Sequence, residues 1–345
     1  MIFLNCDYNE GVHPKILERI VETNDSQQLG YGYDDYSENA RRLIKKAIGR
    51  GDDVDVYLTV GGTPTNVLVL SHVLKPFEAI IAADSAHINT HEAGSVEARG
   101  HKILATPVKD GKLLASDVKK VVDDLRREPK GHVVEPRVVY ISNPTELGTL
   151  YTEAELRELY AYCKSINLYL YMDGARLGYG LTAEDNDLDL PKISHLTDAF
   201  YIGCTKCGAI CGEAVVLIND DFKENFFQSI KQAGQLLAKG RLLGTQLETL
   251  FTDDLYFKIC KNGNDLALKV REFLKSKGVK FMVETSTNQQ FPILKDEVVE
   301  KIKDDFTLDY TKRIDEESSV YRICTSWATK EENIDKLIEA LDALL

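Results

Sequence analysis

The sequence predicts an α/β fold: a mostly parallel sheet with helices on both faces, followed by a small α+β unit. Three observations carry this. Short apolar runs alternate with helical patterns from about residue 55 to 220. Two of those runs, over 168–172 and 200–204, are continuously apolar rather than alternating, as strands buried on both faces are. Beyond about residue 280 the pattern turns to short alternating strands between closing helices. We expect a large domain over 1–255, with an N-terminal arm over about 1–25, and a small C-terminal domain over 256–345.

The 345-residue chain has 55 acidic and 42 basic side chains, a net charge of −13. That balance argues against a nucleic-acid partner, which favours a basic face. No apolar run reaches transmembrane length, so no membrane span is expected. Residues 1–7 lack the basic and apolar segments of a secretory signal. Seven cysteines without such a signal point to reduced thiols in the cytoplasm. Cys204, Cys207 and Cys211 invite a zinc reading. No fourth ligand stands at a useful spacing and Lys206 interrupts the first pair, so no metal is expected.

Taken in order, residues 5–14 read as extended, and Pro14 starts a helix to about Thr23. The Gly- and Tyr-rich segment 27–36 is a loop, either lining a site or interface or forming a surface turn. A helix over 37–49 takes Ser37 as N-cap. The strand over 55–60 feeds Gly61-Gly62-Thr63-Pro64-Thr65-Asn66 and an apolar helix over 67–74. A glycine turn entering a helix offers free N–H groups and the positive dipole end to an anion. It lacks a P-loop lysine and a Gly-x-Gly-x-x-Gly fingerprint, so one small phosphate fits; the alternative is a plain tight turn. The strand over 79–83 leads to His87, a candidate ring contact or acid/base, or else a structural hydrogen-bonder.

Strands over 102–106 and 134–141 follow, with helices over 117–127 and 153–165. The second of these strands ends at Ser142-Asn143-Pro144-Thr145-Glu146. The strand over 168–172 ends on Asp173-Gly174-Ala175-Arg176. A carboxylate on a buried strand end is costly without a positive partner, and the pyridinium nitrogen of pyridoxal 5′-phosphate (PLP) is one such partner. A helix cap is the plainer alternative. The strand over 200–204 leads into Thr205-Lys206. Burial lowers a lysine's pKa, as a Schiff-base lysine requires; a snorkelling rim lysine is the alternative. Gly62, His87, Glu146, Asp173 and Lys206 all follow strands, which gathers them on one sheet edge.

Another strand is expected over 215–218. Residues 222–257 read as helical. Their Lys231, Lys239 and Arg241 either reach a phosphate, in this or a neighbouring subunit, or form a solvated face. A helix over 265–278 and strands over 280–283, 290–293 and 320–325 are expected, with helices near 295–305 and 330–345. Arg322, flanked by apolar residues in the last strand, suits bidentate carboxylate binding or is an edge charge.

These residues together resemble the PLP-dependent threonine aldolase and β-eliminating lyase family, of the aspartate-aminotransferase-like fold (PLP fold type I). The matching stretches are Asn5-Cys6-Asp7-Tyr8, Gly30-Tyr31-Gly32, Gly62-Thr63-Pro64-Thr65-Asn66, Ala86-His87-Ile88, Asp173-Gly174-Ala175-Arg176, Thr205-Lys206, and Arg322 with Thr325-Ser326-Trp327. The ending Arg-x-x-Thr-Ser-Trp and Thr145-Glu146-x-Gly148 resemble the low-specificity and phenylserine-aldolase-like branch. The resemblance implies that Lys206 holds PLP as a Schiff base and that Asp173 pairs with the pyridinium nitrogen. It implies that His87 stacks on the ring and that Gly62, Thr63 and Thr205 bind the phosphate. Arg241 joins the cofactor set, and Arg176 and Arg322 clamp the substrate carboxylate. Cys6, Tyr31 and Glu146 are further candidates on the substrate side. The implied reaction cleaves a β-hydroxy-L-amino acid at Cα–Cβ to glycine and an aldehyde, in a homodimer or homotetramer with sites at the interface. β-Elimination, racemisation or a non-catalytic PLP-binding role are the rivals. Two departures stand out: Cys6 occupies a position often held by Ser, and no His lies near Glu146, so either Glu146 or His87 moves the proton.

Overall fold

The computed structural model describes residues 1–129 and 131–345. Its strands are β1 (Ile2–Phe3), β2 (Asp55–Thr59), β3 (Glu78–Ala83), β4 (Lys102–Thr106), β5 (Glu135–Ser142), β6 (Tyr169–Asp173), β7 (Ala199–Gly203), β8 (Glu213–Leu217), β9 (Gln289–Gln290), β10 (Ile293–Lys295), β11 (Phe306–Thr307), β12 (Asp309–Arg313) and β13 (Ser318–Cys324). A seven-stranded sheet runs β2-β8-β7-β6-β5-β3-β4. All its pairs are parallel except those of β8, which is antiparallel to both neighbours.

Successive strand residues point to opposite faces, and both faces are covered. Ile81, Val139, Leu170, Met172, Phe200, Ile202 and Val216 pack into one apolar cluster. Ile80, Val138, Tyr140, Tyr171, Tyr201 and Val215 pack into the other. This double burial is why these strands read as unbroken apolar runs; each such side chain contributes roughly 1.5–3 kcal/mol on leaving water.

Helices α1 (Pro14–Thr23), α2 (Asp35–Ala47), α3 (Gly62–Val73) and α4 (His87–Thr90) follow the strand-to-helix alternation. The cap of α2 is Asp34, not Ser37: the Asp34 carboxylate accepts from the Ser37 backbone N at 2.8 Å, and the Ser37 hydroxyl also donates to it. An ionised cap satisfies two donors where a serine cap would satisfy one. α3 begins at Gly62 rather than Val67, because Pro64 suits a first turn.

A smaller antiparallel sheet, β10-β13-β12 with β9 also on β13, covers a third apolar cluster of Leu266, Val270, Leu294, Ile323 and Leu337. Leu4 belongs to that cluster, and β1 pairs in parallel with β11, so the arm is sewn into the C-terminal part. The helix expected over 265–278 spans Leu255–Ser276. Its first half (Leu255, Tyr256, Ile259, Cys260) packs in the large core and its second half (Leu266, Val270, Leu274) in the small one. The expected strand over 280–283 reduces to an isolated Phe281–Pro292 bridge. Pro292 has no N–H, which also splits the expected strand over 290–293 into β9 and β10. β12, Asp-Tyr-Thr-Lys-Arg, is an exposed edge strand without an apolar face.

Candidate active site

The carboxyl ends of β2, β5, β6 and β7 and the start of β8 surround a cavity of about 280 Å³. Its walls bring together Gly62, Thr63, His87, Glu146, Asp173, Arg176, Thr205 and Lys206, all expected from sequence, with Asn66, Tyr201 and Glu213, which were not.

Asp173 ends β6 and is buried. Its Oδ2 accepts from Asn66 Nδ2 at 2.8 Å and from the Tyr140 hydroxyl at 2.6 Å; its Oδ1 accepts from the Tyr201 hydroxyl at 2.5 Å and the Ala175 N at 2.9 Å. Burial disfavours the charge, but the donors from Tyr140, Tyr201 and Asn66 prevail and hold the carboxyl below its ordinary range. The three hydroxyls of Tyr140, Tyr171 and Tyr201 stand on one sheet face, the face of the second cluster, and Tyr171 donates to Asn66 Oδ1. Asp173 is therefore fixed as an anion before any ligand arrives.

The loops of Asp173 and Lys206 cross at two glycines. Gly203 N donates to the Gly174 carbonyl at 2.9 Å. A Cβ at Gly174 would overlap the Tyr201 carbonyl, and one at Gly203 the Ala175 carbonyl. Lys206 lines the cavity beyond this crossing, and among the described residues its amine has no hydrogen bond or ion pair. Desolvation, then the neighbouring Arg176 charge, lower its pKa against the pull of Asp7, Asp173 and Glu213. A nucleophilic amine needs that direction. The anion cradle is the α3 N-terminus: its cap, Gly61, supplies no side chain. Thr205 faces it, but its hydroxyl is bonded to Glu213 Oε1 at 2.8 Å.

His87 Nδ1 meets Glu92 Oε1 at 2.8 Å; the His87 side chain is 33% exposed, the Glu92 side chain 0%. The carboxylate assigns the Nδ1 proton, so Nε2 is the nitrogen left to exchange protons. Glu92 also accepts from Asn66 and Ser95, which links His87 to Asp173 through one amide. Glu146 accepts from His87 N at 2.9 Å and the Ser142 hydroxyl at 2.7 Å. Burial raises its pKa, with Asp173 adding to the effect.

Arg176 is not a free guanidinium. Its Nε and Nη2 donate to the two oxygens of Asp7 at 2.6 and 3.0 Å, and Asn288 Nδ2 donates to Asp7 at 2.9 Å. Burial opposes ionisation of Asp7, but Arg176 and Lys206 outweigh it and bring its pKa down to about 2. Four expected residues lie outside this cavity. Cys6 is buried, with Sγ donating to Asn9 Oδ1 at 3.1 Å. Arg322 is held by Gln289 at 3.2 Å and by the Asn5 carbonyl and Asp309, each at 2.9 Å. Tyr31 lines a separate groove beside α2, beneath Lys231 Nζ at 4.4 Å. Arg241 donates to the Ser26 carbonyl at 2.6 Å and to the Thr23 carbonyl, in a groove that does not include Lys206.

A strand-end carboxylate anion, a lysine amine without a partner among the described residues and an open helix N-terminus surround one cavity of this sheet, and their chemistry fits a PLP site of fold type I. The model of the β-eliminating lyase family matches residues 15–297. The solved structure of Leishmania major threonine aldolase superposes with a TM-score of 0.97 at 41% identity, covering 100% of this chain and 99% of that one. The low specificity L-threonine aldolase of a Pseudomonas species is 28% identical over 343 residues, 98% of this chain and 96% of its own. A Thermus thermophilus aspartate aminotransferase variant, 13% identical with a TM-score of 0.70 over 100% of this chain and 92% of its own, shares the fold. The chain belongs to the β-eliminating lyase family and is a PLP-dependent lyase with the aspartate-aminotransferase-like fold.

Proposed function

We propose that the protein cleaves the Cα–Cβ bond of a β-hydroxy-L-amino acid, threonine or a phenylserine-like analogue, giving glycine and an aldehyde. The observation that carries this is the convergence of Lys206, Asp173, the α3 N-terminus and the His87–Glu92 pair on one cavity. Lys206 would hold PLP covalently, Asp173 would keep the ring nitrogen protonated, and Gly62, Thr63 and Thr205 would take the phosphate. The bound cofactor supplies an electron sink for the pair released by the breaking bond. His87 Nε2, on an imidazole whose Nδ1 is committed to Glu92, accepts the β-hydroxyl proton. Glu146, whose ionisation burial disfavours, faces the same space. Arg176 keeps Nη1 for the substrate carboxylate, since Asp7 occupies its other edge.

We place Tyr31 and Arg241 in the site of a second copy. Leu29 and Leu242, 71% and 38% exposed, line the Arg241 groove, and Leu17 and Val21 on α1 are 53% and 69% exposed. Exposed apolar side chains in that number suit a homodimer or homotetramer better than a monomer. The seven free cysteines suit a cytoplasmic setting; no helix among the described residues is long and apolar enough to cross a membrane.

The test is the visible spectrum of the purified protein, with and without borohydride, followed by product analysis on threonine. The expected result is a band that borohydride bleaches, with PLP fixed on the Lys206 peptide, and glycine with acetaldehyde in equal amounts. A keto acid with ammonia would replace the cleavage by β-elimination. A colourless protein that PLP cannot reconstitute would overturn the cofactor assignment.

A further inference from the structure

Glu213 is a carboxyl group that the proposed chemistry does not use. It opens β8, opposite Thr59 of β2 and Gly203 of β7, and its side chain enters the cavity at the Thr205 end. The residue is 3% exposed. Oε2 accepts from Cys204 N at 2.6 Å, and Oε1 accepts from the Thr205 hydroxyl at 2.8 Å. The same hydroxyl accepts from Gly212 N at 3.1 Å. Thr205 therefore gives its single proton to Glu213 and has none left for an anion.

A phosphate seated between α3 and Thr205 meets two obstacles, a spent donor and a buried carboxylate. Protonation removes both. A neutral Glu213 donates from Oε1 to Thr205 Oγ1, and the Thr205 proton turns to the phosphate. Oγ1 then accepts from Gly212 N and Glu213 and donates once, within a hydroxyl's capacity. Oε2 still accepts from Cys204 N.

Resting on the PLP reading above, we propose that Glu213 is a proton-linked positioning residue: binding of the cofactor's phosphate draws one proton from solvent onto Glu213 and reverses its hydrogen bond with Thr205. The groups facing Glu213 are Lys206, the Cys204 and Cys211 thiols and the Tyr171 and Tyr201 phenols; β2 contributes the uncharged Thr59 and α3 the uncharged Gly62 and Thr63. Lys206 is the only cation among them; burial raises the Glu213 pKa more than the hydrogen bonds from Thr205 and Cys204 and the Lys206 charge lower it, leaving it at about 7. Glu213 is thus charged in the free protein above pH 7 and neutral below, and the linkage operates on the alkaline side.

The experiment is calorimetric titration of the cofactor-free protein with PLP and with pyridoxal, which forms the same bond to lysine but carries no phosphate. It is run at pH 8 in two buffers without primary amines and of different ionisation enthalpy. The PLP phosphate is already a dianion there, its second pKa being about 6. PLP should take up about one proton more than pyridoxal in the wild type, and the same number in Glu213→Gln. From pH 7 to 9 the wild-type affinity for PLP should fall relative to Glu213→Gln by up to about tenfold per pH unit, with no such divergence for pyridoxal. Equal proton counts for the two ligands in the wild type would overturn the proposal even if the variant fails to fold. Absence of any binding or colour with either ligand would instead sink the PLP reading and this proposal with it.

Discussion

Replacing Asp7 by Ala should destabilise the protein far more than a loop residue ordinarily does. Asp7 is fully buried, and both its oxygens meet the Arg176 guanidinium, with Asn288 as a third donor. The Arg176 side chain is 11% exposed. Removing the carboxylate strands that cation and leaves the Asn288 amide only its bond to the Thr325 carbonyl, a loss of roughly 3–5 kcal/mol. The Asp7 pKa supplies a second, smaller figure. Its fall from 3.8 to about 2 is worth about 2 kcal/mol of ionised-state preference. The first figure is larger because it includes the stranded partner. The sign is that of a depressed carboxyl: the contribution is whole above pH 3.8 and disappears as pH falls through about 2. The assay is urea unfolding of the cofactor-free protein and its Asp7→Ala variant at pH 7 and pH 5. The gap should be the same at both. Asp7→Ala combined with Arg176→Met should recover part of it, since no buried charge is then left alone. A gap below about 1 kcal/mol, or one that shrinks between pH 7 and 5, would refute the account of Arg176 as a buried, paired cation.

Three further outcomes are expected. Gly174→Ala should push the Asp173 loop off β7, because its Cβ overlaps the Tyr201 carbonyl; we expect a loss of about 3 kcal/mol or more in thermal unfolding, and weaker PLP retention. Glu92→Gln should lower kcat about a hundredfold with KM little changed, since His87 loses the carboxylate that fixes its tautomer, read by steady-state aldehyde release at matched PLP content. Glu213→Gln should leave the cofactor-free protein's stability unchanged near pH 4.5 and raise it by roughly 3 kcal/mol at pH 8. A carboxyl with pKa raised from 4.5 to about 7 contributes fully below 4.5 and loses that contribution as pH rises through 7, a loss the amide escapes.

The sheet was legible because its strands are buried on both faces and so lose the polar alternation that confuses strand with loop; β6 and β7 fell within a residue of their expected bounds. The cavity-lining residues at strand ends were legible for the same reason, each being a polar interruption after an apolar run. Side chains one layer back were not. Tyr140 and Tyr201 read as apolar strand residues, and nothing local says that their hydroxyls reach Asp173 across neighbouring strands. Asp7 and Asn66 stood inside matched stretches, yet their partners lie 169 and 107 residues away. Glu213 was hidden by β8 being antiparallel: its cavity-facing end is the beginning of the strand, not the end. Arg322 read as a carboxylate clamp or an edge charge because its strand is apolar; its bonds to Asn5 and Asp309 were not legible, since they come from segments that the strand pattern does not connect to it.

The stitching of the arm to the C-terminal sheet has a kinetic side. β1 pairs with β11, Cys324 N donates to the Leu4 carbonyl, and Asn288 holds Asp7. Arg176 thus takes its counter-ion from an arm that is itself held by the far end of the polypeptide, a highly non-local closure. Local βα units form early and long-range pairings late. During refolding, the sheet that carries Asp173 and Lys206 should exist before the pocket beside it is charge-balanced. The chain would pass through a form that has Lys206 in place but an open, over-charged mouth, and competence for substrate should lag behind recovery of secondary structure.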